Sequence, residues 1–224
     1  MSDHWVKLAS EVASQVLAKH AASVDQENRF PTEAFQALRE AGLMGLLAPE
    51  EYGGASADLG TAVQVWERLA QGCASTALCY VMHCAATACV AAGAEGSLGR
   101  EVLEAVASGR SLLTLAYSEP GTGSRPNPPD AFYTLSGHEY TLTGMKAFVT
   151  SALYADAYVM PAVQKGSSSV SLFLVPVDVE GLQLFGEWKA MGLRGAMSLN
   201  VRLQNARVSA GQRVGEEGQG MRIL

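Results

Sequence analysis

Two segments of this 224-residue sequence combine residue types that could do chemistry. The first, YSEPGTGS (117–124), follows an apolar run. Gly121 and Gly123 would let backbone N–H groups approach an anion closely, and the hydroxyls of Ser118 and Ser124 add donors. This pattern is typical of a loop that binds a diphosphate, but an ordinary Pro-Gly turn between two strands has the same composition. The residues alone leave both interpretations open.

The second segment, GMKAFVTS (144–151), has the pattern of a strand that leaves a hairpin. On such a strand, Phe148 and Thr150 point to the same face because side chains alternate with a period of two. An aromatic ring beside a hydroxyl could hold a flat heterocycle such as a flavin. A core aromatic residue paired across the sheet would give the same pattern, and the residues alone favour that alternative.

The elements that position these segments change character near residue 110. Apolar residues recur every three to four positions before it and every second position after it, which predicts helices followed by strands. We therefore expect an α+β multidomain fold: an all-α helical domain (1–110), a β-barrel domain (111–215) and the start of a further helical domain (216–224). The predicted strands are 112–118, 131–136, 139–143, 146–150, 156–163, 169–176, 181–187 and 198–203.

One stretch, residues 69–94, contains no Asp, Glu, Lys or Arg and is long enough to span a membrane. It consists mostly of Ala, Cys, Gly, Ser and Thr, with His83 in the middle, which suits a helix enclosed by protein. We expect a buried core helix and no membrane span. All four cysteines lie here without a CxxC pair, so we expect small buried thiols, and no disulfide framework or metal site.

Composition and charge narrow the class of protein further. Hydrophobic residues make up 48% of the chain, enough apolar material to exclude disorder. The net charge of -6 and the isoelectric point near 5.2 argue against a nucleic acid or an anionic membrane as partner. The first residues lack the pattern of a signal peptide, which favours a cytoplasmic location.

Several segments, in their order and spacing, resemble the acyl-CoA dehydrogenase flavoprotein family. They are FPTEAFQALREAGLMGLLAPEEYGG, SEPGTGS, YTLTGMKAFVTSA, MGLRG and GEEGQGM. The resemblance implies a helical domain, a middle β-barrel domain and a C-terminal four-helix domain, the last absent from this chain. It also implies FAD, bound between the middle and C-terminal domains, with an acyl thioester against the flavin. In this family a carboxylate removes the α proton while the β hydrogen leaves as hydride.

The resemblance also assigns roles to individual residues. Phe148 takes a place usually held by Trp against the flavin ring, Thr150 donates toward flavin N5 or O4, and Ser124 faces the diphosphate or the pantetheine arm. His83 lies near the acyl pocket, although a core histidine with satisfied nitrogens is the alternative. The cofactor-binding set is Tyr117, Ser118, Gly123, Ser124, Phe148 and Thr150, and the substrate-binding set is Tyr80, Met82, His83 and Ser124.

The sequence also departs from the family pattern. Arg125 stands where the family often has Asp, and the stiff run 126–129 follows it, so the acyl carrier is left open between CoA and a carrier protein. The family's catalytic glutamate lies in the absent domain, and we expect Glu119 to be a structural acceptor for backbone N–H groups. No catalytic or metal-binding residue is therefore assigned.

These departures determine the expected partners and leave three functions open. The expected partners are a chain that carries the C-terminal helical domain, or further copies in an oligomer, and a flavoprotein electron acceptor. The first function is dehydrogenation by a truncated or split subunit. The second is a non-catalytic binding or scaffold remnant, and the third is an oxygen-using oxidase or monooxygenase of the same architecture.

Overall fold

The computed structural model describes residues 2–93, 96–121 and 128–224. Helices occupy the first half of the chain, as predicted. A π-helical turn over Ala13–Leu17 joins the first two helices, and short 3-10 turns cover Leu43–Gly45 and Glu50–Tyr52. The helices are α1 (Ser2–Val12), α2 (Ala18–Gln26), α3 (Thr32–Glu40), α4 (Leu59–Gly72), α5 (Ala74–Gly93), α6 (Gly96–Ala107) and, near the last residue, α7 (Gly220–Ile223).

The start of α4 shows how local sequence fixes a boundary. Asp58 is the N-cap residue, and its carboxylate accepts a hydrogen bond of 2.8 Å from the Thr61 N–H. That bond satisfies one of the amide groups that the first turn of a helix leaves unpaired. Ala62, Val65 and Leu69 then recur on one buried face, so the helix packs into the core along this stripe.

The uncharged helix α5 lies at the centre of the molecule. It is long and apolar enough to cross a membrane by length and composition, and 61% of its most apolar window is buried inside the protein. It packs against α4, α6 and the first strand of the sheet. These contacts confirm the prediction of a core helix. The small residues of α5 allow its neighbours to approach closely from several sides.

The second half forms one eight-stranded sheet, with the strand order β6-β7-β3-β2-β4-β5-β8 and β1 paired with β4. The pairs β1–β4 and β2–β4 are parallel, and the others are antiparallel. The strands are β1 (Leu113–Leu115), β2 (Phe132–Ser136), β3 (Glu139–Val149), β4 (Ala157–Gln164), β5 (Val170–Pro176), β6 (Leu182–Phe185), β7 (Leu199–Ser209) and β8 (Arg213–Val214).

The order of helices followed by strands is confirmed, with two differences in detail. The segments predicted as separate strands, 139–143 and 146–150, are the single strand β3, which bends through register shifts at Leu142/Gly144 and Lys146/Val149. In the described part of the chain no pairing joins β6 to β8. The sheet therefore curls around its core without closing a hydrogen-bonded ring.

Strands β4 and β5 are buried on both faces. One face contributes Tyr158, Met160 and Phe173 to the core inside the curled sheet. The other contributes Val159 and Leu172 to a second cluster shared with α5 and α6. The helices and the sheet therefore share this second cluster, and α5 packs directly behind the strands.

Candidate functional site

The two segments singled out from the sequence lie side by side. Residue numbers rise along one as they fall along the other, so the segments run antiparallel. This juxtaposition is the feature on which any joint chemistry depends. Two contacts join them: the Ala147 N–H donates to the Ser118 carbonyl at 2.8 Å, and Lys146 Nζ pairs with Glu119 Oε1. In strand β1, just before the first segment, the Thr114 hydroxyl donates to the Thr150 carbonyl at 2.8 Å.

The ion pair between Glu119 and Lys146 is buried, with side-chain exposures of 1% and 0%. Besides Lys146, the Glu119 carboxylate accepts the backbone N–H groups of Asp130 and Ala131. Lys146 Nζ also donates to the Pro161 carbonyl at 2.7 Å. The predicted role of Glu119 as a structural acceptor is confirmed, since both carboxylate oxygens are engaged.

Lys146 was not identified from the sequence as a site residue. Burial lowers the pKa of its ammonium group, and the Glu119 carboxylate opposes this shift. The sequence does contain a signal for this ion pair: Lys146 is the only charged residue in the apolar strand segment GMKAFV. A lysine that is buried in such a strand requires a partner of opposite charge. Removing one partner of such a pair typically costs about 3–5 kcal/mol, so the pair fixes the two segments relative to each other.

Phe148 and Thr150 do not share a face, contrary to the prediction. The register shift between Lys146 and Val149 interrupts the alternation, and Phe148 adopts a left-handed conformation with φ of 54°. Its ring is 69% exposed, whereas Thr150 is 5% exposed. The ring of Trp188 packs edge-on against Phe148, with centroids 6.3 Å apart. An exposed aromatic face is therefore presented next to the YSEPG segment.

Hydroxyl-bearing residues lie on the same two segments as this aromatic face. The Ser198 hydroxyl donates a long bond of 3.5 Å to Thr150 Oγ1, which leaves the hydrogen of Thr150 free to donate elsewhere. Tyr117 and Ser118 are half-buried, and burial raises the pKa of the Tyr117 phenol, which keeps it neutral. The predicted site residues Gly123 and Ser124 lie outside the described residues.

Two residues assigned to the acyl pocket are instead committed to the backbone of neighbouring elements. The fully buried Tyr80 hydroxyl donates to the Leu43 carbonyl. His83 accepts the Leu113 N–H at its Nδ1, at 3.1 Å, so its proton is on Nε2, which donates to the Met44 carbonyl at 3.0 Å. Burial lowers the pKa of His83 to about 4, so the ring is neutral.

These contacts favour the core-histidine alternative for His83. Its two nitrogens tie α5 to β1 and to the 3-10 turn after α3, which leaves neither for a thioester. The Tyr80 hydroxyl is likewise engaged, since it donates to the Leu43 carbonyl. Met82 is half-buried on the same helix and stays a predicted substrate contact.

The described ranges contain no group of three or more His, Cys, Asp or Glu that could hold a metal ion. The four cysteines are free and buried.

Comparisons with known proteins agree with this arrangement. Residues 3–110 match the model of the acyl-CoA dehydrogenase N-terminal domain, and residues 114–206 match that of the middle domain. A probable acyl-CoA dehydrogenase, YngJ, from Bacillus subtilis is 31% identical over 96% of this chain. Cyclohexane-1-carbonyl-CoA dehydrogenase from Geobacter metallireducens is 32% identical over 94% of it. The chain spans 58% and 56% of the length of these two relatives.

Solved structures agree with the sequence matches. The prolyl acyl carrier protein oxidase AnaB superposes with a TM-score of 0.89 at 28% identity, covering 99% of this chain and 60% of that one. An acyl-CoA dehydrogenase complexed with FAD from Bacillus anthracis gives a TM-score of 0.87 at 25% identity, covering 100% of this chain and 39% of that one. The two family models together cover the helical part and most of the sheet, and the chain belongs to the acyl-CoA dehydrogenase family.

Proposed function

We propose that this chain provides the helical and middle parts of an FAD-dependent enzyme that dehydrogenates an acyl thioester at its α,β bond. The observation that carries the proposal is the antiparallel placement of the YSEPG and KAFVT segments, joined through Glu119 and Lys146. The family's named members support the reaction class, since the relatives from Bacillus and Geobacter are described as acyl-CoA dehydrogenases.

The described residues suit a flavin. Its ring system is flat and apolar on its faces and carries hydrogen-bond acceptors along one edge. The exposed Phe148 ring offers a surface for stacking, and Ser118 and Thr150, on the two joined segments, carry hydroxyl groups. Donors at such an edge stabilise negative charge that develops during reduction. We assign Tyr117, Ser118, Phe148 and Thr150 to this role.

A flavin bound here would supply a two-electron acceptor for the β hydrogen and its electron pair, and the α proton would need a base. Glu119 is unsuited to be that base, because its carboxylate is buried, paired with Lys146 and bonded to two backbone N–H groups. The base is then expected from the C-terminal helical domain, whether it is joined to this chain or supplied by a partner. A flavoprotein electron acceptor would reoxidise the enzyme.

The test is spectroscopic. The protein is purified from its native host, with any chain that accompanies it, and its visible absorption is recorded. Bound FAD gives the two flavin bands, and addition of a series of acyl-CoA and acyl-carrier-protein thioesters without oxygen should bleach the longer-wavelength band. A Phe148→Ser variant serves as the matched comparison and should bind less flavin.

The outcomes separate the open functions. Flavin that stays oxidised with every thioester tried contradicts the dehydrogenase and favours the scaffold remnant. A preparation without flavin, to which FAD also fails to bind when added, contradicts the cofactor assignment.

An oxygen-using enzyme is the second candidate, and the likeness to the prolyl acyl carrier protein oxidase favours it. The two candidates differ in what reoxidises the flavin. Oxygen consumption in step with product formation would identify an oxidase. Product formation that requires an artificial electron acceptor and proceeds without oxygen would identify a dehydrogenase.

A further inference from the structure

Trp188 contacts the aromatic face of the site, although neither the motifs nor the family resemblance assign it a role. Its ring lies edge-on to Phe148, with centroids 6.3 Å apart and planes at 69°. This is the T-shaped geometry that aromatic pairs prefer. Phe148 is a smaller ring than the Trp that the family usually has at this place, and Trp188 adds an indole beside it.

Trp188 is held at three points rather than lying loosely on the surface. Its indole N–H donates to the Leu193 carbonyl at 3.0 Å, and its own carbonyl accepts the Asn28 side-chain amide at 2.8 Å. The third point is the ring contact with Phe148. In the same loop, Met191 is fully exposed. Two of the three contacts hold the indole ring, and the bond from Asn28 holds the backbone of the residue.

Backbone strain is concentrated around the same ring. Seven non-glycine residues in the described chain have a positive φ, and five of these lie in the segments that meet here. Ser151 N–H donates to the Ala196 carbonyl at 2.9 Å and so joins the end of β3 to the loop after Trp188. Such strain persists where a site requires a particular geometry. The five residues, with φ between 47° and 58°, are Asn28, Phe148, Ser151, Leu193 and Met197.

We propose that Trp188 is a flavin-positioning residue: its indole holds the Phe148 ring at a fixed angle, so that the two rings form an aromatic corner for the flavin ring system. The inference rests on the proposed function, because it requires FAD at the Phe148 face. Trp188 acts through its contact with Phe148. Its indole supplies aromatic surface that Phe148, the smaller ring, lacks in comparison with a Trp at position 148.

The test uses the protein purified from its native host with any chain that accompanies it, freed of flavin and then titrated with FAD, with flavin fluorescence as the readout. Stacking on aromatic rings quenches flavin emission, so bound FAD should be strongly quenched. Trp188→Leu removes the ring and should raise the Kd for FAD about three- to tenfold and restore part of the emission. Trp188→Phe keeps a ring but loses the N–H, and it should retain most of the quenching. Trp5→Leu, the same change in α1, should leave both values unchanged.

Three results would overturn the inference. If Trp188→Leu binds FAD with the parental Kd and quenching, Trp188 does not position the flavin, although the proposed function stands. If Trp188→Phe is as impaired as Trp188→Leu, the indole N–H merely anchors the loop. If the parental chain fails to bind FAD at all, the cofactor assignment fails and the inference fails with it.

Discussion

Lys146 and Glu119 illustrate how single residues set the geometry of the site. Each would be costly to bury alone, and together they join the YSEPG turn to β3. Three further hydrogen bonds tie the pair to the backbone of Asp130, Ala131 and Pro161. The charged groups of the pair are buried, whereas Phe148, two residues after Lys146, is exposed. The rigidity of the site therefore comes from groups that do not themselves face the ligand.

His83 should make the stability of the chain depend on pH. Its pKa is 6.5 in an unfolded chain and about 4 in the folded one, because burial disfavours the charged ring. The unfolded state binds the proton more readily, so the contribution is complete above pH 6.5 and is lost as the pH falls toward 4. The free energy of unfolding should drop by about 3 kcal/mol over this window. Urea unfolding at a series of pH values measures it.

The matched variants are His83→Gln and His138→Gln. Glutamine can keep one donor and one acceptor at position 83 but does not titrate, so the drop between pH 6.5 and 4 should shrink. His138 is exposed on the turn between β2 and β3, and its variant should follow the parental curve. A His83→Gln curve that falls as steeply as the parent would contradict the assignment.

At the scale of residues, the sequence predicts which residues belong to the site better than it predicts where their side chains point. The motifs identify Ser118, Phe148 and Thr150 as candidates, and the structure brings their segments together. They do not reveal that Phe148 turns outward, because its positive φ follows from a bulge whose position depends on the partner strand. Trp188 could not be found either, since its contacts are with residues 40 and 160 positions away.

At the scale of elements, the loop between β6 and β7 is seated against the helices through Gly195. Its N–H donates to the Ser75 hydroxyl at 3.2 Å. A Cβ at this position would overlap the Val24 side chain and lie 2.9 Å from the Arg29 carbonyl oxygen. The end of α2, the start of α5 and the loop of the MGLRG segment therefore meet at a point that only glycine fits.

Gly195→Ala should lower the free energy of unfolding by about 1–3 kcal/mol, because the added methyl group must displace backbone as well as side chain. Gly192→Ala is the matched control in the same segment. A Cβ at Gly192 would have nothing within 4 Å, so this change should have little effect. Denaturant unfolding of both variants makes the comparison, and equal effects would contradict the packing described here.

Element types were predictable, and element lengths were less so. Apolar residues every three to four positions correctly predict helices in the first half, and the small-residue stretch correctly predicts α5 as a core helix. The two segments that the sequence divides at Gly144 form one strand, because glycine there serves a close approach to Ala131 rather than a turn. Strand β8 is only two residues long and has no periodicity to detect.

At the scale of the whole molecule, apolar side chains are exposed around the site. They lie at the end of β3, in the segment that follows it and in the loop before β7, and the latter two are joined through Ser151 and Ala196. Exposed apolar side chains in neighbouring segments are candidates for a contact surface. The exposed residues are Phe148, Leu153, Tyr154, Met191 and Leu193.

We therefore expect the isolated 224-residue chain to self-associate, with a mass in light scattering that exceeds 23.6 kDa and grows with concentration. Replacing Leu153 and Met191 by Ser should shift the chain toward the monomer. Replacing Leu59 and Val63, which are also exposed but lie on α4, by Ser removes apolar surface elsewhere and should leave the mass unchanged. A parental chain that is monomeric at every concentration would contradict the expectation.

The cysteines of α5 give this fold a built-in chemical reporter. Burial raises the pKa of Cys79 and Cys84 to about 12 and that of Cys89 to about 11, so their thiolate fraction near neutral pH is very small. Alkylating reagents attack the thiolate, and a closed native chain should therefore resist them. Labelling would occur only when the helix opens to solvent. Because the three thiols are spaced along α5, mass spectrometry of the labelled positions would show which end of the central helix opens first.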